Sequence, residues 1–194
     1  MLGLVLCGGQ SLRMGTDKGL LTAETKTWAQ SACNKLAALH FPVKISVNQQ
    51  QRESYLALFS ESHLITDDTS LQLKGPLLGV LSGHIQFPSE DLIILACDMP
   101  LMETSIIKML YSNYQQHPSA DAYIFINDGE PEPLCAIYSA NALSRILSML
   151  HNRSLHKHSM KFMLDHLVIN SIPIKDAQKK YFQNFNAHAE LNGQ

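Results

Sequence analysis

The chain has 194 residues, 45% hydrophobic and 16% charged, with a net charge of −2 at pH 7. Those values fit one globular domain able to bury a substantial core, and they exclude a disordered chain. The slight acidity argues against a dedicated nucleic-acid binder, and no apolar run approaches the roughly 18 residues of a membrane span.

In chain order, Met1–Leu6 is a continuous apolar run that predicts a buried strand. Thr27–His40 carries Trp28, Ala32, Leu36 and Leu39 on one helical face, with Thr27 as N-cap. Val43–Asn48 predicts a second strand, Arg52–Phe59 a short helix, and Leu64–Thr66 a third strand running into Asp67-Asp68. A loop over Thr69–Gly79 leads into a helix near Leu77–Gln86. Asp91–Cys97 is the most strand-like segment and is stopped by Pro100; a helix follows from about Ser105 to Gln116. Asp121–Ile126 predicts a strand, Asn127-Asp128-Gly129 a turn, and Leu134–Tyr138 a return strand. Ala140–Leu150 and Ser159–Leu164 read as helices, and Leu167–Ile174 as a late strand. The alternation predicts an α/β fold: a three-layer α-β-α, Rossmann-like domain on a mostly parallel, twisted sheet. A single domain over residues 1–194 is expected.

Cys7, Cys33, Cys97 and Cys135 lack C-x-x-C spacing, and three lie in apolar strand-like surroundings. Reduced buried thiols are expected, in keeping with a cytoplasmic setting, and no zinc site. Since a core strand opens the chain, no secretory signal is expected before it. The histidines gather only at His151, His156 and His158, without a cysteine or carboxylate at metal-ligand spacing.

The chemistry concentrates in Leu6–Lys18, where the first strand runs into a loop with Gly8, Gly9, Gly15, Arg13 and Lys18. Glycines let backbone N–H groups approach an anion; Arg13 adds a planar donor fork and Lys18 a point charge. The loop predicts a site for a phosphorylated small molecule; the plainer alternative is a strand-to-helix turn with solvated cations. It is not a Walker A loop, because Gly15 is followed by Thr16-Asp17-Lys18, and the adjacent Gly8 and Gly9 break the dinucleotide fingerprint. Asp98 closes the most apolar strand, where ligands of open α/β sheets bind, and a carboxylate there suits Mg²⁺. Its plainer role is to cap the turn before Pro100. Asn48 and Asp67, at two further strand ends, are either turn residues or ligand contacts on the same rim.

The pattern L-x-G-G-x-S-x-R-M-G-x-D-K, Leu6 to Lys18, resembles the nucleotide loop of molybdenum cofactor guanylyltransferases, members of the nucleotidyltransferase superfamily. Cys97-Asp98-Met99-Pro100 is similar to the family's metal-binding C-D-x-P segment. The resemblance implies that Arg13, Lys18 and Asp98 are catalytic, with Asp98 the Mg²⁺ ligand. It also implies nucleotide contacts at Leu6, Cys7, Gly8, Gly9, Gly15, Lys18, Asn48, Asp67, Gly75, Pro76 and Asp98. Asp68 remains an alternative to Asp67. Asp17, typical of the molybdenum cofactor branch, either orients Lys18 or caps the next element. Glu132–Ala136 resembles the acceptor-side strand, and Phe182–Asn186 matches F-x-N-x-N, implying that Asn184 and Asn186 face the second substrate or the metal. The family's Asn-Thr-Pro continuation is here Asn186-Ala187-His188. Arg153, Lys157 and Lys161, four apart, would share a helix face that is either solvated or acceptor-binding.

The activity implied is transfer of GMP from GTP to the phosphate of molybdenum-molybdopterin, giving the guanine dinucleotide cofactor and pyrophosphate. Cofactor insertion and delivery proteins are implied partners; nucleic acid and membranes are not. The alternatives are a cytidylyl- or sugar-phosphate nucleotidyltransferase of the same fold, or a non-catalytic nucleotide- or cofactor-binding protein.

Overall fold

The structure, a computed structural model, describes residues 1–8, 17–23 and 25–185. Nine strands and six helices are present among them: β1 (Leu2–Leu6), β2 (Thr22–Ala23), β3 (Lys26–Thr27), α1 (Trp28–Ala37), β4 (Val43–Val47), α2 (Arg52–Leu56), β5 (Leu64–Thr66), α3 (Pro76–Gln86), β6 (Leu92–Ala96), α4 (Thr104–Gln116), β7 (Ala122–Asn127), β8 (Glu130–Tyr138), α5 (Ala140–His151), α6 (Met160–Leu164) and β9 (Ile169–Pro173). The strands β2 and β3 form a separate small hairpin; the other seven form one sheet in the order β5-β4-β1-β6-β8-β7-β9.

Parallel pairing joins β5, β4, β1 and β6, while β8 runs antiparallel to β6 and β7. The chain leaves β1 toward β4 on one side and later returns to β6 on the other. The carboxyl ends of β1 and its neighbours therefore flank a switch point, the usual ligand crevice of open α/β sheets. Alternation along β1 divides the core in two: Val5 faces a layer holding Ala29, Leu36, Ile106 and Leu110, and Leu4 faces Leu77, Val80, Leu143 and Ile146.

Local chemistry sets the element boundaries. Thr27 caps α1 through a reciprocal capping box with Gln30, as the sequence predicts for the cap. Pro76 opens α3 after Gly75, whose φ of 73° places it in the left-handed region. The turn between β7 and β8 uses Asp128 and Gly129 at φ 50° and 85°, the doubly positive pair favoured in two-residue hairpins. The expected helix face of Arg153, Lys157 and Lys161 does not form. The helix α5 ends at His151, Arg153 turns at φ 60°, and the next helix starts at Met160. Lys161 instead pairs with Glu130 at 2.6 Å, and Lys157 lies over the Phe162 ring.

Candidate functional site

The rim is assembled by the sheet ladder itself. Cys7 and Gly8 both donate their N–H to the Ser46 carbonyl, Cys97 donates to Leu6, and Asp67 donates to Val47. These bonds extend the pairing past the last residues of the strands and set Gly8, Asn48, Asp67 and Asp98 along one edge. The Gly8 N–H is thereby bonded to the sheet.

Gly8 serves the site by lacking a side chain. A Cβ there would lie 2.7 Å from Asp67 Oδ2, so the carboxylate packs directly against the glycine backbone. Asp67 is 9% exposed, and its Oδ1 accepts a 2.6 Å hydrogen bond from the fully buried Ser46 hydroxyl. Burial pushes the Asp67 carboxyl up to about 6, opposed by the Ser46 bond. Asp68 does something different, capping the 3-10 turn Thr69–Leu71 by accepting from Ser70 N at 2.9 Å. The geometry thus turns Asp67, and not its neighbour, toward Gly8.

The helix α3 brings its N-terminus to the same edge. A Cβ at Gly79, in its first turn, would meet Ser46 Oγ at 2.5 Å and Leu6 Cδ2 at 3.1 Å. That close approach sets Gly75 and Pro76, and the partial positive charge of the helix start, near the ends of β1 and β4.

On the β6 side, Lys18 Nζ lies 3.4 Å from Asp98 Oδ2, with each side chain about a quarter exposed. Lys35 Nζ reaches from α1 to the Pro100 carbonyl at 2.7 Å and ties down the turn after Asp98. Its amine is held down to about 8 by burial. From the far end of the chain, Phe185 N donates to the Asp98 carbonyl at 2.9 Å. Buried Phe182, edge-on to Phe125, and buried Phe185 anchor this segment, so Asn184 is delivered beside Asp98 with an exposed side chain. The first half of β8 continues past the end of β6, whose pairing starts only at Cys135. Glu132, Pro133 and Leu134 therefore flank the rim beyond β6, with Glu132 accepting from Asn127 Nδ2 at 2.9 Å.

Asn48 acts as a turn residue, since its Oδ1 accepts from Gln50 N and Gln51 N at 2.9 and 3.0 Å. Asp17, ambiguous in the sequence, caps the 3-10 turn Lys18–Leu20 by accepting from Gly19 N at 2.9 Å. It also accepts from Gln51 Nε2 at 2.7 Å and Tyr55 OH at 3.1 Å. No sequence motif marks Ser46, Gln51 or Tyr55. The spacing offers one signal: Gln51 and Tyr55 are four apart and share a helical face. Gly9, Arg13, Gly15 and Asn186 lie outside the described residues. The thiols beneath the rim are inert by burial, Cys7 pushed well up and Cys33 to about 12.

The described residues contain no group of three His, Cys, Asp or Glu side chains placed to hold a metal. Asp98 is a hard oxygen donor at an accessible strand end beside a cation. It fits Mg²⁺, which keeps several waters and takes further oxygens from substrate phosphates.

A family model described as the MobA-like NTP transferase domain matches residues 3–167. A Flavobacterium johnsoniae protein named "Probable molybdenum cofactor guanylyltransferase" is 27% identical over 97% of this chain and 93% of its own length. A Nostoc protein of the same name is 30% identical over 78% of this chain and 72% of its own. The crystal structure of molybdopterin-guanine dinucleotide biosynthesis protein A from Archaeoglobus fulgidus superposes with a TM-score of 0.77. It is 22% identical, and the match covers 99% of this chain and 95% of that one. With the family match spanning most of the chain and the rim built at the carboxyl ends of the strands, the protein belongs to the family of MobA-like NTP transferase domains.

Proposed function

We propose that this protein transfers GMP from GTP to the terminal phosphate of molybdenum-molybdopterin, releasing pyrophosphate and forming the guanine dinucleotide cofactor. The observation that carries this reading is the pairing of Lys18 with Asp98 across the switch point, one strand from the Gly8–Asp67 contact. A triphosphate entering there meets a cation and a carboxylate suited to Mg²⁺. Relatives bearing the guanylyltransferase name support the choice of base and acceptor.

An acceptor phosphate oxygen forms the new bond to the α-phosphorus of GTP as the bond to the bridging oxygen breaks, and pyrophosphate leaves with the electron pair. No protein nucleophile is required; positioning and charge neutralisation do most of the catalysis. Lys18, with Arg13 assigned from the sequence motif, neutralises charge building on the transferred and leaving groups. Asp98 would hold Mg²⁺, which supplies further neutralisation of phosphate charge when bound. Asp67, ionised above about pH 6, accepts from donors on the nucleoside, with Gly75 and Pro76 at the entry to the base region. Glu132–Leu134 and Asn184 flank the acceptor. Free cysteines accord with a reducing, cytoplasmic setting. Among the described residues no helix is long and apolar enough to cross a membrane.

The test offers GTP, CTP, ATP and UTP in turn with molybdenum-loaded molybdopterin and follows dinucleotide formation. GTP preference is expected. CTP preference would move the protein to a cytidylyltransferase, and binding without turnover would leave a nucleotide- or cofactor-binding protein.

A further inference from the structure

Gln51 stands outside every motif of the sequence, yet its side chain joins three parts of the rim. Its Nε2 carries two hydrogens and uses both: one bonds the Cys7 carbonyl at 3.0 Å, the other Asp17 Oδ2 at 2.7 Å. Its Oε1 accepts from Asn48 N at 2.9 Å. Cys7 and Asp17 lie on either side, in sequence, of Gly9, Arg13 and Gly15. One carboxamide therefore spans the place where the chain leaves β1 and the place where it returns to present Lys18.

The other Asp17 oxygen is equally occupied, by Gly19 N at 2.9 Å and by the hydroxyl of Tyr55, which is 0% exposed. A Cβ at Gly19 would overlap that hydroxyl, so the turn fits the tyrosine closely. The two carboxylate oxygens thus face different donors, and the orientation of Asp17 is fixed. Because Asp17 caps the turn that starts with Lys18, fixing Asp17 fixes the base of the lysine that reaches Asp98.

We propose that Gln51, with Tyr55, is a positioning residue for nucleotide binding: it clasps Asp17 to the end of β1 and so presets Lys18 for the triphosphate. Gln51 touches no reacting atom in this scheme. Its contribution is to have ordered the lysine turn before the phosphates arrive, which lowers the ordering cost of binding. The inference rests on the reading of this rim as a triphosphate site, but not on which base the nucleotide carries.

The arrangement permits an exchange of donor and acceptor. Gln51→Glu sets a carboxylate against Asp17, and Asp17→Asn sets an amide NH₂ against that of Gln51. The double variant restores one donor facing one acceptor between residues 51 and 17 and leaves Oδ1 of residue 17 free to accept from Gly19 and Tyr55, while the bond to the Cys7 carbonyl stays lost. Calorimetric titration with GTP, guanosine and inorganic tripolyphosphate is the measurement. Gln51→Glu loses both Nε2 bonds, one of them to a charged group, and should weaken GTP and tripolyphosphate on the order of ten-fold; Asp17→Asn loses the Gln51 bond alone and should weaken them roughly three-fold. Guanosine affinity should stay within about two-fold, and the double variant should recover part of the loss, binding tripolyphosphate more tightly than Gln51→Glu alone. Equal loss of guanosine and tripolyphosphate, or a double variant as weak as the product of the singles, overturns the clasp. If either single variant fails to fold, Tyr55→Phe should still weaken tripolyphosphate by roughly three-fold; unchanged affinity overturns the proposal. If wild type binds tripolyphosphate but shows no preference for GTP, the guanylyl reading fails while the clasp is still tested.

Discussion

Asp67 carries a measurable signature of its burial. Asp67→Asn retains the size of the side chain and an acceptor for the Ser46 hydroxyl, while removing the charge. In the folded protein the carboxyl titrates near 6, against an ordinary value of 3.8. Between those values the folded protein holds a proton that the unfolded chain has released, so wild-type stability falls as pH rises through that window. The cost is absent below the unfolded value and complete above the folded one. A shift of this size corresponds to about 3 kcal/mol at most, and solvent relaxation at a rim position reduces it to roughly 1–2 kcal/mol. The stability of Asp67→Asn relative to wild type should therefore increase by that amount from pH 4 to pH 7.5. For a domain of this length the increase is worth roughly 2–8 °C in melting temperature. Urea unfolding of both proteins at half-unit pH steps measures the difference, and other titrating groups cancel in the comparison. A difference that stays flat across the window would refute the assignment of a raised Asp67 carboxyl. The same variant should lose nucleotide affinity, separating what the residue costs the fold from what it contributes to binding.

Ser46→Ala removes the bond that holds the Asp67 carboxyl down. The acid limb of kcat/KM for GTP should move to higher pH, as a pH–rate profile will record. Asp98→Ala should lower pyrophosphate release by about 10²–10³-fold with little change in melting temperature, since the residue is a rim carboxylate. Gly8→Ala places a Cβ 2.7 Å from Asp67 Oδ2. It should destabilise by about 1–3 kcal/mol in urea titration and weaken GTP binding by displacing that carboxylate. Gly75→Ala meets nothing within 4 Å, so only the φ of 73° opposes it; a stability loss of about 1–2 kcal/mol is expected from urea unfolding.

Much of the fold follows from local pattern. The apolar runs at Leu2–Leu6 and Leu92–Ala96 became the central parallel strands, Thr27 and Ser159 capped the expected helices, and Asn127-Asp128-Gly129 gave the hairpin. Errors fall where no core pattern enforces the reading. The 153–161 stretch has cations four apart, yet Arg153 turns at positive φ and the chain continues without helix to Ser159. Spacing proposes a face, but the apolar residues this stretch buries, Leu155 and Met160, are five apart and share no helical face, so burying them does not require a helix.

By itself the sequence determined the family, the open α/β architecture and the strand ends at which Gly8, Asn48, Asp67 and Asp98 sit. These follow from short-range signals: apolar runs, glycines, prolines, and polar residues at the points where strands stop. Only the tertiary structure decided which side chains meet there. It turned Asp67 rather than Asp68 toward Gly8, bonded the Gly8 N–H to Ser46, gave Asp17 to Gln51 and Tyr55, and tied the Phe185 N–H to the Asp98 carbonyl. The partners in those contacts lie tens of residues apart, and no local periodicity couples them. Their meeting depends on sheet order and register, which are fixed only when the whole core packs.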